Sequence, residues 1–124
     1  MHTVAVLPVK RFADAKQRLS EGLAPATRRA LAEAMLTDVL IALRRAERVD
    51  EVVVVTGEPA AEALAHGYGA RVVHDTREAG QSAAAEIGLQ AAAGADMVPL
   101  VPGDCPALTP HELDELIGSA QPAP

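Results

Sequence analysis

Residues 7–19, LPVKRFADAKQRL, carry both lysines of the chain, Lys10 and Lys16, together with Arg11 and Arg18. Four of the 11 basic residues thus fall within positions 10–18 of a chain whose formal net charge is -6. Ammonium and guanidinium groups at that density suit an anion with several charged oxygens. Far along the chain, PGDCPAL (residues 102–108) presents one carboxylate, Asp104, directly after Gly103. A cationic loop beside a single aspartate is what a metal-chelated nucleoside triphosphate needs. The cations meet phosphate oxygens, and the carboxylate holds Mg²⁺, a hard ion usually bound by one or two carboxylates plus phosphates. Plainer readings stand beside this one. A basic cluster is more often a solvated turn, and an aspartate after glycine is often only a turn residue. Three features favour the anion site: both lysines are used here, the run follows an apolar stretch, and the protein is acidic.

For the two groups to meet, the segments that carry them must end at one edge. TVAVLPV (residues 3–9) is continuously apolar, as a strand buried on both faces would be. Pro25 suits the first turn of a long helix, along which Leu31, Met35, Val39 and Leu43 repeat every four residues and Leu36 and Leu40 widen the stripe. Arg44, Arg45 and Arg48 fall near its C-terminal end, where cations suit the helix dipole. EVVVVT (residues 51–56) is the clearest strand. A helix from about Pro59 is expected to be capped at Gly67, and ARVVHD (residues 70–75) forms a third strand. An Ala-rich helix from about Ser82 to Ala93 ends at Gly94, and DMVPLVPGD (residues 96–104) forms a fourth strand, with a bulge or unpaired position at Pro99. A last helix starts with a capping box, Thr109 as cap and Glu112 three residues on.

This alternation predicts a parallel sheet of about four strands with helices on both faces and right-handed crossovers. In such sheets ligands bind beyond the C-terminal ends of the strands, at the point where strand order reverses. Lys10 and Asp104 follow the first and fourth strands, so both belong to that edge. Residues 1–118 are expected to be one domain and 119–124, with SAQPAP at the end, a disordered tail.

Composition narrows the function further. Only Phe12 and Tyr68 are aromatic and the pI is near 5.1, which argues against nucleic-acid binding by stacking or by a broad basic face. The single cysteine, Cys105, excludes an internal disulfide, suits a reducing cytoplasm, and has no histidine beside it in sequence. No apolar stretch approaches the roughly 20 residues that span a bilayer. His2, His66 and His111 lack metal-ligand spacing, and His74 is either a polar strand terminus or a nucleotide contact. There is no G-x-x-x-x-G-K-[ST]. Gly67 and Gly69 make a G-x-G, but Val72 holds the third position and the pair precedes a strand.

LPVKRFADAKQRLS, then VVVVT, then LVPGDCPAL resemble, in order and spacing, the guanylyltransferases of coenzyme F-420 biosynthesis: 2-phospho-L-lactate guanylyltransferase and its phosphoenolpyruvate-using bacterial relatives. The superfamily is that of nucleotidyltransferases with a Rossmann-like, glycosyltransferase-A type fold. Its other members often carry a glycine-rich first loop, such as the molybdopterin cytidylyltransferases. Here the loop has no glycine and reads P-V-K-R…A-K-x-R-L, the form of the F-420 branch. EAGQSAAAEIGLQAA (residues 78–92) occupies the place of the family's nucleotide-contacting G-x-[NS] helix start, with Gln81 a less common residue.

The resemblance implies transfer of GMP from GTP to a small phosphorylated carboxylic acid, 2-phospho-L-lactate or phosphoenolpyruvate, with release of pyrophosphate. It assigns nucleotide contacts to Pro8, Val9, Lys10, Arg11, Lys16, Arg18, Gly80, Gln81, Ser82 and Gly103. Lys10, Lys16 and Asp104 take catalytic roles, and Asp104 ligates Mg²⁺. The family continues into a segment that shapes the acceptor pocket and adds a further aspartate, and this sequence stops before either. The resemblance therefore covers the nucleotide-binding N-terminal part of the fold. Two alternatives follow: a cytidylyltransferase-like relative, and an inactive nucleotide-binding fragment. An uncovered sheet edge in such a part would favour a homodimer.

Overall fold

The computed structural model describes residues 2–11, 24–76 and 80–101. Their elements run β1 (Val4–Val9), α1 (Pro25–Arg45), β2 (Glu51–Thr56), α2 (Pro59–Gly67), β3 (Arg71–His74) and α3 (Gln81–Ala91). The Thr109 capping box and the 119–124 tail lie outside the described residues.

The unbroken apolar runs of β1 and β2 are explained by a sheet covered on both sides. Ala5, Leu7, Val52 and Val54 pack with Leu36, Val39, Leu40 and Leu43 of α1 and with Ala61 and Ala65 of α2. Val4, Val6, Val53 and Val55 turn the other way, onto Ala84 and Ala92 at the two ends of α3. Alternate residues of a strand point to opposite faces, so a strand with helices above and below must be apolar at every position. Each such Val or Leu contributes about 1.5–3 kcal/mol by leaving water. The four-residue spacing expected along α1 is the buried stripe: Met35, Leu36, Val39, Leu40 and Leu43 are all buried, and Leu31 is half-buried.

Two helix ends differ from expectation. α2 does end at Gly67, but Gly67 does not adopt the capping conformation. The left-handed residue is Gly69 (φ 75°), with Gly69 N–H donating to His66 O at 3.1 Å and Ala70 N–H to Ala65 O at 2.9 Å. That 5→2 and 6→1 pair is a Schellman motif, which needs its glycine two residues past the helix. α3 starts one residue earlier and ends two residues sooner than the composition suggests, at Gln81 and Ala91, with Gly80 as its N-cap.

The strands are parallel in the order β1-β2-β3, with Val9 beside Thr56 and Thr56 beside His74. Residues 97–101 lie on the other side of β1, also parallel, but as two isolated bridges, Thr3 with Met97 and Val6 with Leu100, rather than as the continuous fourth strand expected. The cause is two prolines on one seam. Val4 N–H donates to Met97 O at 3.0 Å, Val6 N–H to Pro99 O at 2.9 Å, and Val101 N–H to Val6 O at 2.9 Å. Even-numbered residues of β1 therefore face this seam. The return bond to Val4 O would come from residue 99, and the next donor from β1 would be residue 8; both are proline and have no N–H.

The order across the sheet is thus 97–101, β1, β2, β3, and it reverses between β1 and 97–101. At the opposite edge the chain is tied by backbone bonds to carboxylates: His2 N–H to Asp96 Oδ2 at 2.6 Å and Thr3 N–H to Asp50 Oδ2 at 2.7 Å. Among the described residues no helix is long and apolar enough to cross a membrane.

Candidate functional site

β1 delivers Lys10 and Arg11 to the C-terminal edge of the sheet, beside the point of strand reversal. Pro8 and Val9 are half-buried within the strand, and both cations are exposed just beyond it. On the β2 side, Val9 O accepts from Thr56 Oγ1 at 2.9 Å. Thr56 Oγ1 in turn accepts from Glu58 N–H at 3.0 Å, so one hydroxyl joins the last residue of β1 to the cap of α2. Glu58 is buried (4% exposed), and its Oε1 lies 3.9 Å from Nη2 of Arg29, which reaches over from α1. Asp75, also buried, extends the β2–β3 ladder by donating its N–H to Thr56 O at 3.1 Å.

α3 brings a helix N-terminus to this edge. Arg71, at the start of β3, donates from Nη1 to Ala91 O at 3.0 Å, which fixes the C-terminal end of α3 at the far edge and its N-terminal end at the cationic one. Gly88 sits against Val6 and Val55, and Gly80 is eight helical residues earlier, about 12 Å along the axis. Lys10 is four strand residues beyond Val6, about 13 Å. Gly80 and Lys10 therefore both belong to the C-terminal edge of the sheet. Gly80 has φ 104° and ψ 178°, a conformation essentially reserved for glycine, and it opens α3 without a side-chain cap. Backbone N–H groups at such a terminus, with the positive end of the helix dipole, favour an anion.

Of the residues expected to form the site, the structure brings Pro8, Val9, Lys10, Arg11, Gly80 and the backbone of Gln81 and Ser82 to one edge. Ser82 is the second residue of α3, inside its first turn rather than at its start. Lys16, Arg18, Gly103 and Asp104 lie outside the described residues. Described chain reaches Val101, whose N–H is bonded beside β1. Among the described residues no group of three or more His, Cys, Asp and Glu could hold a metal. A cavity of about 120 Å³ between the ends of α1 and α2 and the start of β2 is at the opposite edge, and it is too small for a nucleotide, whose sites are several hundred Å³.

Sequence reasoning passed over Thr56, Glu58, Arg29 and Asp75. Two signals were available. Thr56 closes the four-valine run of β2 with a hydroxyl, and Arg28 and Arg29 stand near the positive end of α1, which has no acid in its first turn.

A parallel sheet with helices on both faces, and a cationic segment leaving the central strand where the order reverses, define a Rossmann-like domain of the nucleotidyltransferase type. The chain belongs to the MobA-like NTP transferase domain family, whose model matches residues 16–124. It is similar to the phosphoenolpyruvate guanylyltransferase of Conexibacter woesei, 50% identical over 125 aligned positions that cover 99% of this chain and 56% of the relative. The 3-phospho-D-glycerate guanylyltransferase of Phenylobacterium zucineum is 45% identical over 116 positions, covering 89% and 53%. Among solved structures, a nucleotidyl transferase from Methanothermobacter thermautotroptrophicus superposes with a TM-score of 0.71 at 28% identity, covering 97% of this chain and 58% of that one. The chain spans about half the length of the curated relatives it matches.

Proposed function

We propose that this chain is the GTP-binding part of a cytosolic guanylyltransferase of coenzyme F-420 biosynthesis. It would pass GMP from GTP to a small phosphorylated carboxylic acid, either phosphoenolpyruvate or 2-phospho-L-lactate. The observation that carries the reading is the cationic exit of β1 at the point of strand reversal, in a chain half identical to a phosphoenolpyruvate guanylyltransferase. The 3-phospho-D-glycerate relative supports the same acceptor class, a carboxylate and a phosphate on a three-carbon frame.

In this reaction an acceptor phosphate oxygen attacks the α-phosphorus. That P–O bond forms as the α–β bridge breaks, and pyrophosphate leaves with the bridging oxygen. Little covalent work falls to the protein; positioning and charge neutralisation do most of it. Lys10 and Arg11 hold the β- and γ-phosphates. Lys16 meets the charge that develops on the departing pyrophosphate, and Arg18 adds to the same field. The N–H groups of Gln81 and Ser82 in the first turn of α3 face the nucleotide, and Gly103 lets the backbone approach it. Asp104 is the carboxylate for Mg²⁺, which when bound neutralises the triphosphate; one carboxylate plus phosphate oxygens is a donor set this ion accepts.

The test is binding followed by turnover. The reading expects the chain to bind Mg·GTP in preference to Mg·CTP, and Lys10→Ala, Lys16→Ala and Asp104→Ala each to weaken binding tenfold or more. A preference for CTP, or unchanged GTP affinity in all three variants, refutes it. Pyrophosphate release from GTP with each of the three acids then identifies the acceptor.

A further inference from the structure

Thr56 is fully buried (0% exposed), and its hydroxyl does two things at once. It donates to Val9 O and accepts from Glu58 N–H, at 2.9 and 3.0 Å. A buried hydroxyl needs a partner, and many would serve. The partner chosen here has a mechanical consequence. The Val9 carbonyl and the Lys10 N–H belong to one planar peptide group. Holding that oxygen fixes the plane, and with it the direction in which Lys10 leaves the sheet. On the opposite side of β1, residue 8 is proline and makes no donor bond to residues 97–101, so among the described residues the restraint at the strand's end comes from β2. Glu58, the second group on the hydroxyl, is the cap of α2 and carries the carboxylate that faces Arg29.

We propose that Thr56 is a positioning residue for the triphosphate: its hydroxyl locks the Val9–Lys10 peptide so that the cationic segment meets the phosphates in one orientation. This rests on the nucleotide reading above. Thr56 does not touch the nucleotide, so its effect grows with the number of phosphates that Lys10 and Arg11 hold. A residue that merely completed the core would change all nucleotide affinities together.

The comparison that separates these is the ratio of the dissociation constants for GMP and GTP, measured with Mg²⁺ by calorimetry on the wild-type chain, Thr56→Val and Thr56→Ser. Thr56→Val keeps the shape and removes both hydrogen bonds; it is expected to weaken GTP about tenfold, the worth of a net hydrogen bond or two, and to leave GMP within twofold. Thr56→Ser keeps the hydroxyl and is expected to restore the wild-type ratio. A Thr56→Val chain with an unchanged ratio, or a folded Thr56→Ser chain with a collapsed one, overturns the positioning role while leaving the nucleotide reading intact. Failure of the wild-type chain to bind GTP overturns both. If Thr56→Val melts below the assay temperature, Thr56→Cys, of similar size but a weak donor, takes its place with the same expectations.

Discussion

Gly88 lies in the middle of α3, where helix propensity alone says that alanine is better by about 1 kcal/mol. The structure predicts the opposite sign. A Cβ at position 88 would overlap Cγ1 of Val6 and come within 3.1 Å of Cγ2 of Val55. Both valines are fully buried, and a β-branched side chain has few rotamers into which to retreat. Either the helix lifts from the sheet or the valines strain. Overpacking of this kind costs about 1–3 kcal/mol, and so hard a contact belongs at the top of that range. Subtracting the propensity gain leaves Gly88→Ala destabilising by about 2 kcal/mol, a shift of the urea midpoint by about 1 M for a chain of this size. Val6→Ala alone loses two methyl groups at about 0.8 kcal/mol each plus a cavity term, together about 2–3 kcal/mol. In the double variant the new methyl enters the space the old ones left. The two losses then sum to about 2 kcal/mol less than additivity, well outside the roughly 0.5 kcal/mol scatter of independent sites. The four chains are compared by urea unfolding followed by far-ultraviolet circular dichroism. A stabilised Gly88→Ala chain, or additivity of the pair, refutes this account of how α3 sits on the sheet. Because α3 carries Gly80, the same displacement is expected to weaken GTP binding.

Two positive-φ glycines offer a matched pair. Gly80→Ala and Gly69→Ala both force an L side chain into a disfavoured region, at about 1–3 kcal/mol; among the described residues nothing lies within 4 Å of a Cβ at 80, and only the flexible end of Arg44 does at 69. Thermal melts are expected to fall alike, whereas calorimetry finds weaker GTP binding for Gly80→Ala alone; equal binding in both would remove α3 from the site. Raising ionic strength from about 0.01 to 0.1 M, which shortens the screening length from about 30 to 10 Å, is expected to weaken GTP binding steeply. A flat salt response would count against a cationic grip.

Much of this fold was legible because the pattern is physically redundant. The valine run of β2 and the four-residue stripe of α1 each admit one way to bury themselves, and their bounds fall where the residues say. The helix ends were less legible, because Gly67 and Gly69 are two residues apart and only the backbone torsions tell which one turns. The fourth strand failed for a subtler reason. Pro99 was visible as a missing donor, but its effect depends on Pro8 facing the same seam, and strand alternation cannot reveal that until the pairing is known. At the site, the cations stood out by composition. Thr56 did not, since one threonine at the end of a strand gains meaning only when register sets it beside Val9.

The end of β1 is thus treated differently on its two sides: pinned to β2 by the Thr56 hydroxyl, and denied a bond to residues 97–101 by Pro8. If strand reversal makes the crevice, Pro8 keeps it from zipping shut. Pro8→Val restores the donor opposite Val101 and permits one more ladder bond, worth about 0.5–1.5 kcal/mol. It also gives back unfolded-chain freedom that proline had removed, at about 0.4–1 kcal/mol. The two nearly cancel, so stability is the wrong measurement. Hydrogen exchange reads the bond directly: the new amide at position 8 is expected to be protected as strongly as that of Val6, while GTP affinity falls because the seam has closed beneath the cations. An unprotected amide would mean that the strands diverge for some other cause. A protected amide with undiminished GTP binding would mean that the opening is incidental and that the triphosphate is held elsewhere along the edge.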